Sequence, residues 1–184
     1  DVLCMLDNHF NLFKYVRCFI ATSMAHTYSG QWNTAVEDSI HALNIARKYS
    51  DESHISYAAL AVARTFNYKG DIEQAIRYGE LSLQNAITPA YKSWAQTVLA
   101  HTWCLAGQPH RGIPVLKNYI EIFRAVAFPI PEMICCCTLA EGYLSAGEYD
   151  KAEKSAEEAL EVSERCNAKF YAGRARLSLG QAIL

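Results

Sequence analysis

One residue type at one spacing constrains this chain more than anything else in it. Gly30, Gly70, Gly107 and Gly147 stand 40, 37 and 40 residues apart, and each brings the same neighbours with it. Seven residues before each glycine is a small residue (Ser23, Ala63, Ala100, Ala140), and four before is a ring (His26, Phe66, Trp103, Tyr143). Five after is Ala35, Ala75, Gly112 or Ala152, and thirteen after is Leu43, Leu83, Ile120 or Leu160. Such self-similarity builds a row of stacked units, each burying its faces against its neighbours, rather than one closed core.

Within each copy, apolar residues recur at three and four residues, as in LAVARTF and TVLAHTW, which is the helical period. Each copy therefore reads as two helices, with the glycine as a left-handed cap between them. The small column lets one helix approach its partner closely, and the ring fills the adjacent gap. Thr88-Pro89 offers an N-cap followed by proline at the first helical position, while Ser50-Asp51 and Pro129–Pro131 punctuate two other boundaries. The expectation is an all-α chain of about nine helices, one repeat domain over 1–184. Its repeats fall near 11–50, 51–87, 88–128 and 129–167, with a partial fifth over 168–184. The third copy departs most: Pro109 replaces an apolar residue, Gly112 an alanine, and Pro114 falls inside the second helix, where a kink or delayed start is expected. Gly180 takes the small column of the fifth copy, and residues 1–7 precede the first full one. Together with an opening Asp1-Val2-Leu3, this reads as a segment of a longer polypeptide.

Composition narrows the function classes. Of 184 residues, 51% are hydrophobic and 20% charged, which excludes a disordered chain, and a net charge of −2 offers no basic excess for nucleic acid or an anionic membrane. Seven cysteines are an odd number, and Cys135-Cys136-Cys137 are consecutive, so they read as packing residues in a reducing cytoplasm. Consecutive helical positions diverge by about 100°, so these three cannot close on one metal ion. Cys4 and Cys18 lie too far apart in sequence for their spacing to decide such a role. The glycines belong to the repeat and match no phosphate-binding loop, and the six histidines are scattered. The charges of Glu153 and Glu157 with Lys151 and Lys154 read as a solvated helix face. The expectation is no catalysis, no cofactor and no metal.

The order small residue, ring, Gly, Ala, then Ala-Leu resembles the tetratricopeptide repeat (TPR) over nearly the whole chain, most closely in EGYLSAGEYDKAEKSAEEALEV. The usual unit is shorter than these, and the longer unit is similar to the repeats of MalT-type regulators and of bacterial cyclases or ATPases. The resemblance implies a right-handed α-α superhelix whose first helices line a concave groove. That places toward the groove the columns thirteen, six, three and two before each glycine: Arg17, Tyr57, Trp94 and Ile134; Met24, Arg64, His101 and Glu141; Thr27, Asn67, Cys104 and Leu144; Tyr28, Tyr68, Leu105 and Ser145. Arg174 and Gln181 continue the series. The candidate binding residues are Arg17, Met24, Tyr28, Tyr57, Arg64, Asn67, Tyr68, Trp94, His101, Glu141 and Arg174. Tyr, Trp and Arg are the types enriched in binding hot spots, and Arg64 among the tyrosines suits a peptide carboxylate. Of a two-carboxylate chaperone-tail clamp, only Arg64 and Asn67 are approached, so no such tail is expected. The leading function is a non-catalytic protein- or peptide-binding module of a larger cytoplasmic signalling protein. The alternatives are a peptide-pheromone receptor domain and a homodimer formed through the end helices.

Overall fold

The computed structural model describes residues 12–184. Among them are nine α-helices and no strand: α1 (Leu12–Tyr28), α2 (Trp32–Lys48), α3 (Glu52–Lys69), α4 (Ile72–Gln84), α5 (Pro89–Leu105), α6 (Pro109–Ala125), α7 (Pro129–Ser145), α8 (Tyr149–Arg165) and α9 (Lys169–Ile183). The odd-numbered helices are the first of each pair, and the even-numbered the second. Every even helix starts two residues after its glycine, at Trp32, Ile72, Pro109 and Tyr149. The expectations for residues 1–7 and Cys4 fall outside the described residues.

The glycine column exists because the turn demands it. Gly30, Gly70, Gly107 and Gly147 have φ of +78°, +82°, +72° and +74°, in the left-handed region where a Cβ is costly. Each turn closes by the same two bonds. At Gly70 the glycine N–H donates to Asn67 O at 3.2 Å and the next N–H, of Asp71, donates to Phe66 O at 3.0 Å. This Schellman pattern satisfies carbonyls that the helix end leaves open. The turns from an even helix to the next odd one use the same bonds without glycine: Ser50, Ala127 and Asn167 stand at φ +51°, +51° and +53°. The second of these junctions differs. α4 has 13 residues where α2, α6 and α8 have 17, and its link to α5 has one residue more than the others, which accounts for the 37-residue interval. There Thr88 Oγ1 accepts from Tyr91 N–H at 3.2 Å, the expected N-cap, with Pro89 first in the helix. Asp51 likewise caps α3 by accepting from His54 N–H at 3.0 Å.

α6 corrects one expectation. It begins at Pro109 in the register of the other even helices and runs through Pro114 to Ala125, so its start is not delayed. Pro109 sits where no intrahelical N–H bond is needed, and Pro114 deletes a single bond from a helix of 17 residues.

The described residues divide into two compact units, the first ending at residue 95 and the second spanning 96–184. In the first, α1 packs on α2 and α3, and α3 on α2 and α4. Its core is Val16, Ile20, Ala42, Leu43, Ala58, Ala59, Val62 and Ala75, with Phe66 at the margin. In the second, α7 packs on α6, α8 and α9, and α8 on α9. Met133, Leu139, Ala140, Ala152, Ala156 and Ala159 are buried there.

The repeated columns are the contact points of each pair. The small residue seven before the glycine meets the one five after it: Ser23 Oγ donates to Ala35 O at 2.8 Å. A Cβ built on Gly112 would lie 2.4 Å from Ala100 O and 2.5 Å from Cys104 Sγ, so no side chain fits there. The ring four before the glycine lies on the second helix. Phe66 stacks on Tyr78 at 5.8 Å, Trp103 carries Arg111 at 4.4 Å, and Tyr143 carries Lys151 at 5.7 Å. His26 occupies this place half-buried, its Nδ1 2.8 Å from Asp38 Oδ2.

Candidate functional site

Because α3 packs beside α1, residues in one column of successive repeats become neighbours, and the candidate residues of the first unit meet in three groups. Arg17 lies over the Phe13 ring at 4.3 Å and the Tyr57 ring at 5.2 Å. Tyr57 in turn faces Trp94 at 5.9 Å and Tyr91 at 6.1 Å. A turn or two along, Arg64 Nη1 approaches Met24 Sδ at 4.0 Å. At the far end Tyr28 and Tyr68 form an edge-to-face pair at 6.2 Å. Met24, Tyr28, Tyr57, Arg64, Tyr68 and Trp94 are half-buried and Arg17 is exposed, so the face presents the Arg17 guanidinium to solvent among partly covered rings, with Arg64 partly covered beside them. Asn67 does not share it. At 5% exposure it lies beneath, in the same buried column as Thr27, whose Oγ1 is 2.9 Å from Thr65 Oγ1. The column three before the glycine supports the face rather than forming it.

In the second unit the candidate residues consume one another. Glu141 Oε2 is 3.1 Å from His101 Nε2, and its Oε1 accepts from Arg174 Nε at 3.0 Å and Nη2 at 2.5 Å. This ladder joins α5, α7 and α9. Burial alone would raise the Glu141 carboxyl; the hydrogen bond from His101 and the Arg174 charge outweigh it and hold it at about 2. His101 is 8% exposed and the Arg174 side chain 11%, so neither stands open as a groove residue would. Charge that could meet a ligand is spent inside the fold.

Cys135, Cys136, Cys137 and Cys104 are buried packing residues. Burial pushes the Cys136 and Cys137 thiols up to about 12 and Cys104 up to about 11, which makes them poor nucleophiles and poor metal ligands. Among the described residues no three His, Cys, Asp or Glu side chains are placed to share a metal ion. No described helix is long and apolar enough to cross a membrane.

One feature escaped the sequence reasoning. At the α6–α7 turn a cleft of about 660 Å³ is lined by Arg124, Ala127, Pro129, Glu132, Glu158, Glu161, Val162 and Arg165. Arg124 donates through Nε to Glu132 at 2.8 Å and through Nη2 to Glu158 at 3.2 Å. The signal lies in Val126-Ala127-Phe128-Pro129-Ile130-Pro131, six residues at a surface turn with no polar side chain.

No family model and no curated protein matches the chain. Solved structures do. A Podosopora anserina protein described as a putative kinesin light chain with nearly identical TPR-like repeats aligns with a TM-score of 0.61 at 17% identity, over 91% of this chain and 92% of that one. A point variant of the same protein aligns with a TM-score of 0.64 at 16% identity, over 95% of this chain and 87% of that one. At such identity the likeness is one of architecture, and it agrees with the helix order, the glycine turns and the column contacts: the chain has a TPR-like, all-α repeat fold.

Proposed function

We propose that this chain is a non-catalytic peptide- or protein-binding module whose ligand lies along α1 and α3. The observation that carries the reading is the contrast between equivalent columns of the two units. In the second, Glu141 binds His101 and Arg174 across three helices, whereas in the first, half-buried aromatic rings gather around the exposed Arg17 and the partly buried Arg64. Rings supply large contact area at low entropic cost, and guanidinium forks hold carboxylates. The ligand class is an extended segment bearing aromatic or aliphatic side chains and a carboxylate. If the longer repeat unit is of the MalT-type variant that the sequence resembles, the module belongs to a larger cytoplasmic regulatory protein. In the pheromone-receptor alternative a short peptide fills the groove and shifts the packing of the repeats.

An array of 12-residue peptides with and without terminal acidic residues tests the reading. Acid-bearing peptides are expected to bind, with loss on Arg64→Ala and Tyr68→Ala. Binding to no peptide, or equal binding by both variants, refutes it.

A second reading has its own observation. α9 leaves Leu177 63% and Ile183 71% exposed, with open space beside Gly173 and Gly180. In the Leu177 column of the earlier repeats, Ile20, Leu60 and Cys137 are 1%, 3% and 1% exposed, and Thr97 is half-buried. This face suits self-association. Sedimentation velocity over a hundredfold concentration range decides it: a dimer lost on Leu177→Glu supports the reading, and a monomer throughout rejects it.

A further inference from the structure

The α6–α7 turn carries a run of exposed apolar side chains. Val126 is 65% exposed, Phe128 44% and Ile130 55%, and Ile122 on the last turns of α6 adds a fourth apolar side chain at 44%. A run of exposed apolar residues is a cost that folding does not require, since the equivalent turns manage with Tyr49-Ser50-Asp51 and Cys166-Asn167-Ala168. The turn geometry does not demand it either: the same Schellman bonds close all three junctions.

Beside this turn lies the charged cleft, whose walls hold three carboxylates against two guanidinium groups. Arg124 is already committed to Glu132 and Glu158, and Glu132 is 7% exposed beneath it. Glu161 and Arg165 are exposed and in no ion pair among the described residues, so they are the groups the cleft offers. The excess of negative charge continues along α8, which carries six acidic and three basic side chains. An anionic membrane is disfavoured by that sign, and a cationic partner is favoured.

We infer that the α6–α7 turn and the adjoining face of α8 form a second docking surface, for a short amphipathic helix of a partner protein carrying Lys or Arg beside Leu- or Phe-sized side chains. Its apolar stripe packs on Val126, Phe128 and Ile130, and its cations meet Glu161 and the exposed Glu157 of α8. This is independent of the α1–α3 face, which is cationic and would repel the same segment.

The probe is a fluorescein-labelled 14-residue amphipathic peptide built of Leu and Lys, titrated at physiological salt and followed by anisotropy, with its Leu/Glu counterpart as the comparison. The Leu/Lys peptide is expected to saturate. Phe128→Ser with Ile130→Ser should weaken it at least about tenfold, and Glu161→Lys about threefold to tenfold, the scale of one lost apolar anchor or one reversed charge pair. Arg64→Ala should leave it unchanged. These side chains are exposed, and superimposable thermal melts establish that the variants fold. Several results overturn the inference: binding that survives the double serine change, equal binding of the Leu/Glu peptide, or preference for anionic vesicles. So does a homodimer without peptide that the same change abolishes, since the occupant would then be a second copy.

Discussion

Gly112 should be intolerant of the mildest possible substitution, although it sits in a helix where alanine is the better residue. Replacing an interior helical glycine by alanine ordinarily stabilises by about 1 kcal/mol. Here the new Cβ would fall 2.4 Å from the Ala100 carbonyl oxygen and 2.5 Å from Cys104 Sγ. The thiol can turn aside, but a backbone carbonyl inside α5 cannot, so α5 and α6 must separate by a good fraction of an ångström. Overpacking of this kind costs about 1–3 kcal/mol, and an immovable backbone atom places it at the upper end. Net of the propensity gain, Gly112→Ala is expected to destabilise by about 2 kcal/mol. Gly173 provides the control, since nothing lies within 4 Å of its built Cβ. Gly173→Ala should stabilise by up to about 1 kcal/mol. Urea unfolding followed by far-ultraviolet circular dichroism reads both as shifts in midpoint at constant slope. Cys104→Ala combined with Gly112→Ala should recover only part of the loss, because the carbonyl is still in place. A Gly112→Ala protein as stable as the parent would refute the claim that the small columns mark the closest approach of paired helices.

Three further outcomes follow from particular groups. Ala127 holds φ +51° at a turn where Gly is favoured, so Ala127→Gly should raise stability by about 0.5–1 kcal/mol in the same urea experiment, the αL cost less the entropy of glycine. Glu141 is held at about 2, below its ordinary 4.5, so its stabilisation is fully present above pH 4.5 and is lost as pH falls toward 2. The stability difference between the parent and Glu141→Gln, of order 2–3 kcal/mol at pH 6, should therefore shrink across that window, and a pH-independent difference would contradict the ladder. Iodoacetamide at pH 8 on the native protein should label Cys18 and spare Cys104, Cys135, Cys136 and Cys137 until denaturant is added, as read by peptide mass spectrometry.

Much of the fold was legible because it depends on spacings within about 20 residues. A left-handed turn selects glycine, and close helix approach selects Ala, Ser or Gly; both leave the same mark in every copy. The second set of left-handed turns was not legible, since Ser50, Ala127 and Asn167 share a conformation without sharing a residue type. The shortened interval was visible in the glycines, but only the structure assigns it to a shorter α4. The candidate face was legible as columns and not as chemistry. Nothing in the spacing of His101, Glu141 and Arg174 says that their side chains meet, because that depends on how odd helices stack across 33 to 40 residues. Asn67 has a polar side chain in a column that turns out buried, so polarity misled where register would have served. The apolar α6–α7 turn lies outside every repeated column, so nothing in the column spacing marks it.

The central claim is that the ligand face belongs to the first unit, and the methionines offer a direct test. The sequence has three, Met5, Met24 and Met133. Met24 lies beside Arg64 on the proposed face, and Met133 is 2% exposed in the core of the second unit. With ¹³C-methyl methionine labelling and Met24→Leu for assignment, titration with an acid-bearing 12-residue peptide should shift the Met24 methyl resonance saturably and leave Met133 in place. A saturable shift of Met133 with Met24 unmoved, or no shift of either, would contradict the assignment of that face.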